Sequence, residues 1–152
     1  MAKNHHKIKR IKHIENHLRK YNTYKAGVEA LKLQLDYIMP ELTVNYSSGG
    51  GGNGTFNIQS ETEKYAIDRI ESSRALEIHE NMERYNVIIK SIDEAMKDLD
   101  SIEKEFIKKR YFEGMTIPKT AIELGYSEKY VFNIRNQIFE KLLISLKGLL
   151  FF

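Results

Sequence analysis

Apolar residues recur at helical spacing through most of the chain, interrupted by one polar, glycine-rich stretch. The first segment, from Lys7 to Met39, predicts one long helix that ends before Pro40, because a proline pushes the preceding residue out of the helical region. Its apolar residues repeat every seven positions, at Ile14, Tyr21, Val28 and Leu35. This repeat is typical of a helix that packs along a partner helix.

A second helix with the same repeat is predicted after the glycine-rich stretch. Residues 41–60 contain four consecutive glycines, and we expect a flexible loop, since glycines cannot offset their ordering entropy by burying side chains. Ser60 and Glu63 predict a capping box at the start of the second helix. Its apolar seam contains Ile78, Tyr85, Ile88, Ile92 and Leu99. Residues 1–99 therefore predict a long antiparallel helical hairpin, and the same seam is a candidate for self-association.

Three shorter helices are predicted over residues 100–152. Asp100, Thr116 and Ser127 are placed to cap them, and glycines at 114 and 125 to end the first two. The third helix has a narrow apolar stripe, formed by Val131, Ile134, Ile138 and Leu142. Its other positions are rich in Lys, Asn, Arg and Gln, which match the hydrogen-bonding groups of base edges. The pattern predicts an all-α protein with a C-terminal helix-turn-helix module. A three-helix bundle with a solvated polar face is the alternative.

The module resembles region four of sigma factors. The shared spacing is carried by Thr116, Ala121, Leu124, Gly125 and Ser127, preceded by an Arg-Tyr-Phe-Glu-Gly run over residues 110–114. Over nearly its whole length, the chain resembles phage late-transcription regulators of the RinA and ArpU type. The resemblance implies a sequence-specific DNA-binding regulator, an activator of phage late genes, that binds double-stranded DNA. Host RNA polymerase is a candidate second partner, but the sequence does not tell whether it is contacted.

The same resemblance implies which residues touch DNA. Those expected to read bases are Glu128, Lys129 and Asn133. Those expected at the DNA backbone or at flanking bases are Thr116, Lys119, Ser127, Tyr130, Arg135 and Gln137. Lys119 and Thr120 depart from the sigma pattern, which prefers Glu and Ile there, so base preference cannot be carried over from relatives.

Charge is distributed unevenly along the chain. Residues 1–25 hold eight Lys and Arg against one Glu, residues 26–100 seven against fourteen acids, and residues 101–152 nine against six. Basic ends favour contact with a polyanion, since phosphate neutralisation supplies most sequence-independent affinity for nucleic acid. We expect Lys7, Lys9, Arg10 and Lys12 to form a basic arm on the DNA backbone. A solvated helix end is the alternative.

The composition and the motifs of the chain argue against several classes of protein. The chain has no cysteine, which excludes disulfides and thiolate metal sites. With no nucleophile beside a base and no cofactor motif, we expect no enzyme, no cofactor and no metal. No apolar run is long enough for a membrane helix, and we expect a protein of the bacterial host cytoplasm.

Three further points concern the oligomeric state, the packing of the apolar tail and the rival functions. We expect a homodimer or higher oligomer held by the seam from Ile78 to Leu99. The apolar tail, residues 142–152, is expected to pack on its own module, with a second subunit or polymerase as the alternative. Two rival functions stay open: the small subunit of a phage terminase, which binds DNA for packaging, and a helical adaptor that binds only protein.

Overall fold

Every element of the described chain is helical. The computed structural model describes residues 2–38 and 61–152, and these ranges contain six α-helices: α1 Ala2–Arg19, α2 Tyr21–Ile38, α3 Glu61–Lys97, α4 Ser101–Ile107, α5 Ile117–Leu124 and α6 Glu128–Ser145. A π-helical turn, Lys108–Phe112, continues α4, and a 3-10 helix, Lys147–Phe151, follows α6. The all-α prediction is confirmed for these ranges. None of their helices is long and apolar enough to cross a membrane.

The single helix predicted over the first segment is two helices, separated at Lys20. Backbone hydrogen bonds of helical spacing nevertheless continue through the interruption: Lys20 N donates to Asn16 O at 3.2 Å, and Tyr24 N donates to Lys20 O at 2.8 Å. The interruption therefore changes the backbone only slightly. The predicted loop over residues 41–60, with the cap at Ser60, lies outside the described residues.

The chain divides into two compact units, and the division differs from the predicted boundary after residue 99. The first unit comprises Met1–Ala26 and Tyr85–Phe152, and the second comprises Gly27–Arg84. The reason is a shared hydrophobic core. Ile14 and Leu18 of α1 and Ile92 of α3 are buried in the same cluster as Phe106 and Ile138. The C-terminal helices thus share one hydrophobic core with α1 and with the C-terminal part of α3.

The three C-terminal helices begin where their caps were predicted. Asp100 Oδ1 accepts from Glu103 N at 2.9 Å, and Glu103 Oε2 accepts from Asp100 N at 3.0 Å, which completes a capping box. The Thr116 and Ser127 hydroxyls cap α5 and α6. Both predicted glycines have positive φ, 73° and 75°, where a side chain would be strained. Local sequence signals therefore define these helix ends.

The apolar tail is held by the first unit. Leu146 and Leu149 are buried in its core, and the 3-10 helix packs against α1 and α6. His13 Nε2 lies 3.1 Å from the Leu149 carbonyl oxygen and 3.3 Å from His17 Nε2. The prediction that the tail packs on its own module is confirmed for these two leucines, while Phe151 stays exposed.

The predicted oligomer seam lies largely inside the first unit. Ile88, Ile92 and Leu99 are buried in the core of the single chain. Tyr85 packs against Tyr24 with ring centroids 5.5 Å apart. Ile78, in the second unit, is partly buried. Three of these five side chains are therefore covered within the single chain, and the predicted contact of the seam with a second subunit stays a prediction.

The described part of the second unit has little core of its own. Over residues 27–38 and 69–84, Ala75 is the only buried side chain. Large apolar side chains are exposed on both of its helical segments: Leu33, Tyr37, Ile70 and Leu76. Since helices gain most of their stability from packing, this unit presents apolar surface that is uncovered within the described residues.

Candidate nucleic-acid interface

The buried stripe of α6 determines which of its faces points outward. Val131, Ile134, Ile138 and Leu142 are all buried, as their spacing predicted. The three residues expected to read bases, Glu128, Lys129 and Asn133, lie off this stripe, and all three are exposed. The structure thus places these three on one solvent-facing surface.

This surface has regular geometry because α6 is a continuous helix. Lys129 and Asn133 are four residues apart, so their side chains follow one another along one line of the helix. Glu128, Phe132 and Asn136 form the neighbouring line at the same spacing, and all three are exposed. We call the five residues of the two lines the α6 outer face. Phe132 and Asn136 were not predicted to touch a ligand, although both lie off the apolar stripe.

Exposed polar and aromatic residues also lie at the helix starts and in the turn that precedes α6. Ser127 Oγ accepts from Tyr130 N at 3.3 Å, and Thr116 Oγ1 accepts from Lys119 N at 3.4 Å, so both hydroxyls are used as caps. The rings of Tyr126 and Tyr130 pack together with centroids 4.7 Å apart and remain partly exposed. Tyr126 was not predicted as a site residue, and only its position next to the Ser127 cap could have suggested it.

Arg135 does not lie on the exposed surface. Its Nη2 donates to Glu15 Oε1 at 2.7 Å, and the Tyr111 hydroxyl donates to the same oxygen at 2.6 Å. Both carboxylate and phenol are buried, and the guanidinium is partly covered. Arg135 therefore joins α6 to α1 and to the π-helical turn. Its predicted contact with the DNA backbone is replaced by this internal network.

Burial and hydrogen bonding act in opposite directions on Glu15. Loss of solvent raises the pKa of its carboxyl, whereas the hydrogen bonds from Tyr111 and Arg135 and the charge of Arg135 lower it, and the net pKa lies below the ordinary value. Burial and the hydrogen bond to Glu15 raise the pKa of the Tyr111 hydroxyl above its ordinary value. For Arg135, burial lowers the pKa of the guanidinium, but the contacts with Glu15 and Tyr111 outweigh it and the net pKa is raised. Glu15 and Arg135 are therefore an ion pair at neutral pH.

The predicted basic arm and the base-reading residues lie at different ends of α6. Lys7 forms an ion pair with Glu140, while Glu15 is bound to Arg135, so α1 runs antiparallel to α6. Glu140 follows Lys129 by eleven residues, which is about 16 Å along a helix. Lys9 and Lys12 are exposed, and Arg10 is partly exposed. The structure does not bring the arm next to the first turn of α6.

A cationic cleft lies between the arm and the 3-10 helix. Its volume is about 480 Å³, and it is lined by His6, Lys9, Arg10, His13, Lys147, Leu150 and Phe151. Because this lining has several cationic side chains and no carboxylate, it favours an anion. Lys147 was not part of the predicted arm, because it is 137 positions after Arg10 in sequence.

The α6 outer face carries hydrogen-bonding groups of both kinds. Lys129 donates, Glu128 accepts, and the amides of Asn133 and Asn136 do both. Such a mixture can match the donor and acceptor pattern of base pairs in a major groove.

Comparisons of the chain with protein-family models, with curated proteins and with solved structures found no match. The support for what this face binds is therefore its own chemistry and geometry.

Proposed function

We propose that the protein is a sequence-specific DNA-binding regulator that places α6 in the major groove, and that it activates phage late genes. The supporting observation is α6 itself, which is buried along one stripe and exposes Lys129 and Asn133 in line on the opposite side. In this proposal, α5, the turn at Gly125 and α6 act as a helix-turn-helix module. The activating role rests on the resemblance to RinA and ArpU regulators.

The proposed DNA contacts are assigned to the predicted residues whose side chains are exposed. Glu128, Lys129 and Asn133 read bases. The residues proposed at the backbone or at flanking bases are Thr116, Lys119, Ser127, Tyr130 and Gln137, all of which are exposed. Arg135 is left out because its guanidinium is bound to Glu15. The basic arm and Lys147 provide phosphate contacts further along the DNA, and host RNA polymerase is a proposed second partner.

Removing a base-reading side chain is expected to weaken specific binding selectively. We expect Lys129→Ala or Asn133→Ala to lose roughly 1 to 3 kcal/mol on the preferred site and little on random DNA, because a lost base contact affects only the matching sequence. Fluorescence anisotropy with both DNAs at one fixed salt concentration measures the difference. Lys90→Ala, on the exposed surface of α3, removes the same charge and should leave the specific site unaffected. Equal losses on both DNAs would make Lys129 and Asn133 phosphate contacts.

Enrichment of genomic DNA fragments on the purified protein distinguishes the proposed function from its rivals. A bound site upstream of late structural genes supports the activator. A bound site at a packaging locus, together with a ring-like assembly in solution, indicates a terminase small subunit instead. Absence of salt-dependent DNA binding would leave the helical adaptor, since contact with phosphates makes affinity depend on salt.

We also propose a homodimer, formed through the exposed apolar side chains of the second unit rather than through Ile88 and Ile92. A second copy would supply the cover that this unit lacks, and two modules would read two half-sites. In this proposal the long helices pair as a hairpin. We expect a wild-type mass of two chains by sedimentation at micromolar concentration, and a mass of one chain for Leu33→Glu/Tyr37→Glu.

The dimer experiment has its control on the same helix. Lys32→Glu introduces an acidic side chain at an exposed polar position outside the groove that Leu33 and Tyr37 line, and should keep the dimer. Circular dichroism should show that both variants remain helical, because Leu33 and Tyr37 contribute nothing to the buried core. A wild-type mass equal to one chain would contradict the dimer.

A further inference from the structure

One side chain of the α6 outer face is apolar. Phe132 is 48% exposed, although the residue before it, Val131, is fully buried. It does not belong to the hydrophobic core cluster or to the partly buried residues packed against that cluster. Leaving a phenyl ring in water forgoes roughly 25 cal/mol for each Å² of apolar surface that burial would remove. About half of the ring is therefore available to a ligand.

Helix geometry places this ring among the proposed base-reading side chains. Phe132 follows Lys129 by three residues and Glu128 by four, so it lies one turn beyond both on the same surface. Asn133 follows it directly on the neighbouring line. If α6 enters the major groove with Lys129 and Asn133 on base edges, the Phe132 ring lies beside them and faces the same groove.

The major groove contains one apolar group that a phenyl ring can recognise. Thymine presents a C5-methyl there, whereas the exposed groups of the other bases are hydrogen-bond donors and acceptors. We propose that Phe132 is a specificity residue that packs against the methyl group of a thymine in the recognised site. This inference rests on the proposed function, and it identifies one base that the site must contain.

Replacing thymine by uracil tests the contact directly. Uracil pairs with adenine as thymine does but lacks the C5-methyl. On the preferred site obtained from fragment enrichment, each thymine is replaced by uracil in turn, and affinity is measured for the wild type and for Phe132→Ala. For the wild type, we expect one or two positions at which uracil weakens binding about fourfold, the amount that corresponds to one buried methyl group.

Phe132→Ala should abolish this discrimination. The variant is expected to bind the thymine site about fourfold more weakly or worse, and to bind the thymine and uracil forms equally, since the ring and the methyl group act as a pair. Phe151→Ala is the matched control, because that ring is 87% exposed and lies on the 3-10 helix rather than on α6. It should keep the wild-type ratio of thymine to uracil affinity.

The possible failures differ in what they overturn. A wild type that binds its site but does not distinguish uracil from thymine at any position overturns the inference and leaves the proposed function intact. The same holds if Phe132→Ala keeps the wild-type ratio, or weakens random DNA as much as the site. A wild type that shows no preference for any DNA sequence overturns both.

Discussion

Replacing Ile92 with Glu is expected to unfold the first unit, whereas Val87→Glu on the same helix should leave it folded. Ile92 is 1% exposed and belongs to the core that joins α1, α3 and the C-terminal helices. A carboxylate there loses its hydration without gaining a partner, and the apolar contacts of Ile92 are lost as well. We expect a loss of about 4 kcal/mol or more, comparable to the whole stability of many domains.

Urea denaturation followed by circular dichroism measures this difference, with sedimentation as a second reading. Val87 belongs to the first unit and is 44% exposed, so the same kind of change there should move the urea midpoint little. The seven-residue repeat alone predicts a different result for Ile92→Glu, namely a folded monomer released from a dimer. A variant that keeps its wild-type midpoint but has half the wild-type mass would make Ile92 an interface residue and contradict its burial within one chain.

The ends of the C-terminal helices could be predicted from sequence because their signals are local. A capping side chain and its target N–H lie within three residues, as for Ser127 and Tyr130. A glycine with positive φ, such as Gly125, ends a helix whatever lies beyond it. The buried stripe of α6 is equally local, since the spacing of its apolar residues determines one face of the helix.

The partners of the long helices could not be predicted in the same way. A seven-residue repeat shows that Ile14 and Ile92 lie on packing faces, but many apolar surfaces can cover such a face. The structure covers both with a core that includes the C-terminal helices. The repeat therefore predicted burial correctly at these two positions, but it did not predict that α1 packs on α6.

At the candidate site, the contacts of individual side chains were equally hard to predict from the sequence. Arg135 is at the edge of the α6 stripe, where a basic side chain can turn either to solvent or to an internal acid. Its partner, Glu15, precedes it by 120 positions, and nothing near either residue in sequence signals the pair. The sequence placed Phe132 off the apolar stripe of α6, but the resemblance to sigma region four assigned it no contact.

Truncation of Glu15 is expected to lower the free energy of unfolding far more than truncation of Glu140, although each carboxylate forms an ion pair between α1 and α6. Removing Glu15 leaves the Arg135 guanidinium and the Tyr111 hydroxyl without their shared acceptor in a buried setting, and we expect Glu15→Ala to lose about 3 to 5 kcal/mol. Glu140 and Lys7 are both largely exposed, so Glu140→Ala should change the free energy of unfolding by less than about 1 kcal/mol. Urea denaturation at neutral pH compares the two.

At acidic pH, the wild type should lose its greater stability relative to Glu15→Ala. Because the folded pKa of Glu15 lies below its ordinary value of 4.5, the folded state favours the charged form, and this stabilisation is fully present above that value. It is lost as pH falls below 4.5 and through the lower folded pKa. The difference in unfolding free energy between the two proteins should therefore be constant near neutral pH and shrink on acidification. A difference that stays constant down to the lowest pH at which the wild type is folded would show that Glu15 acts through packing and not through its charge.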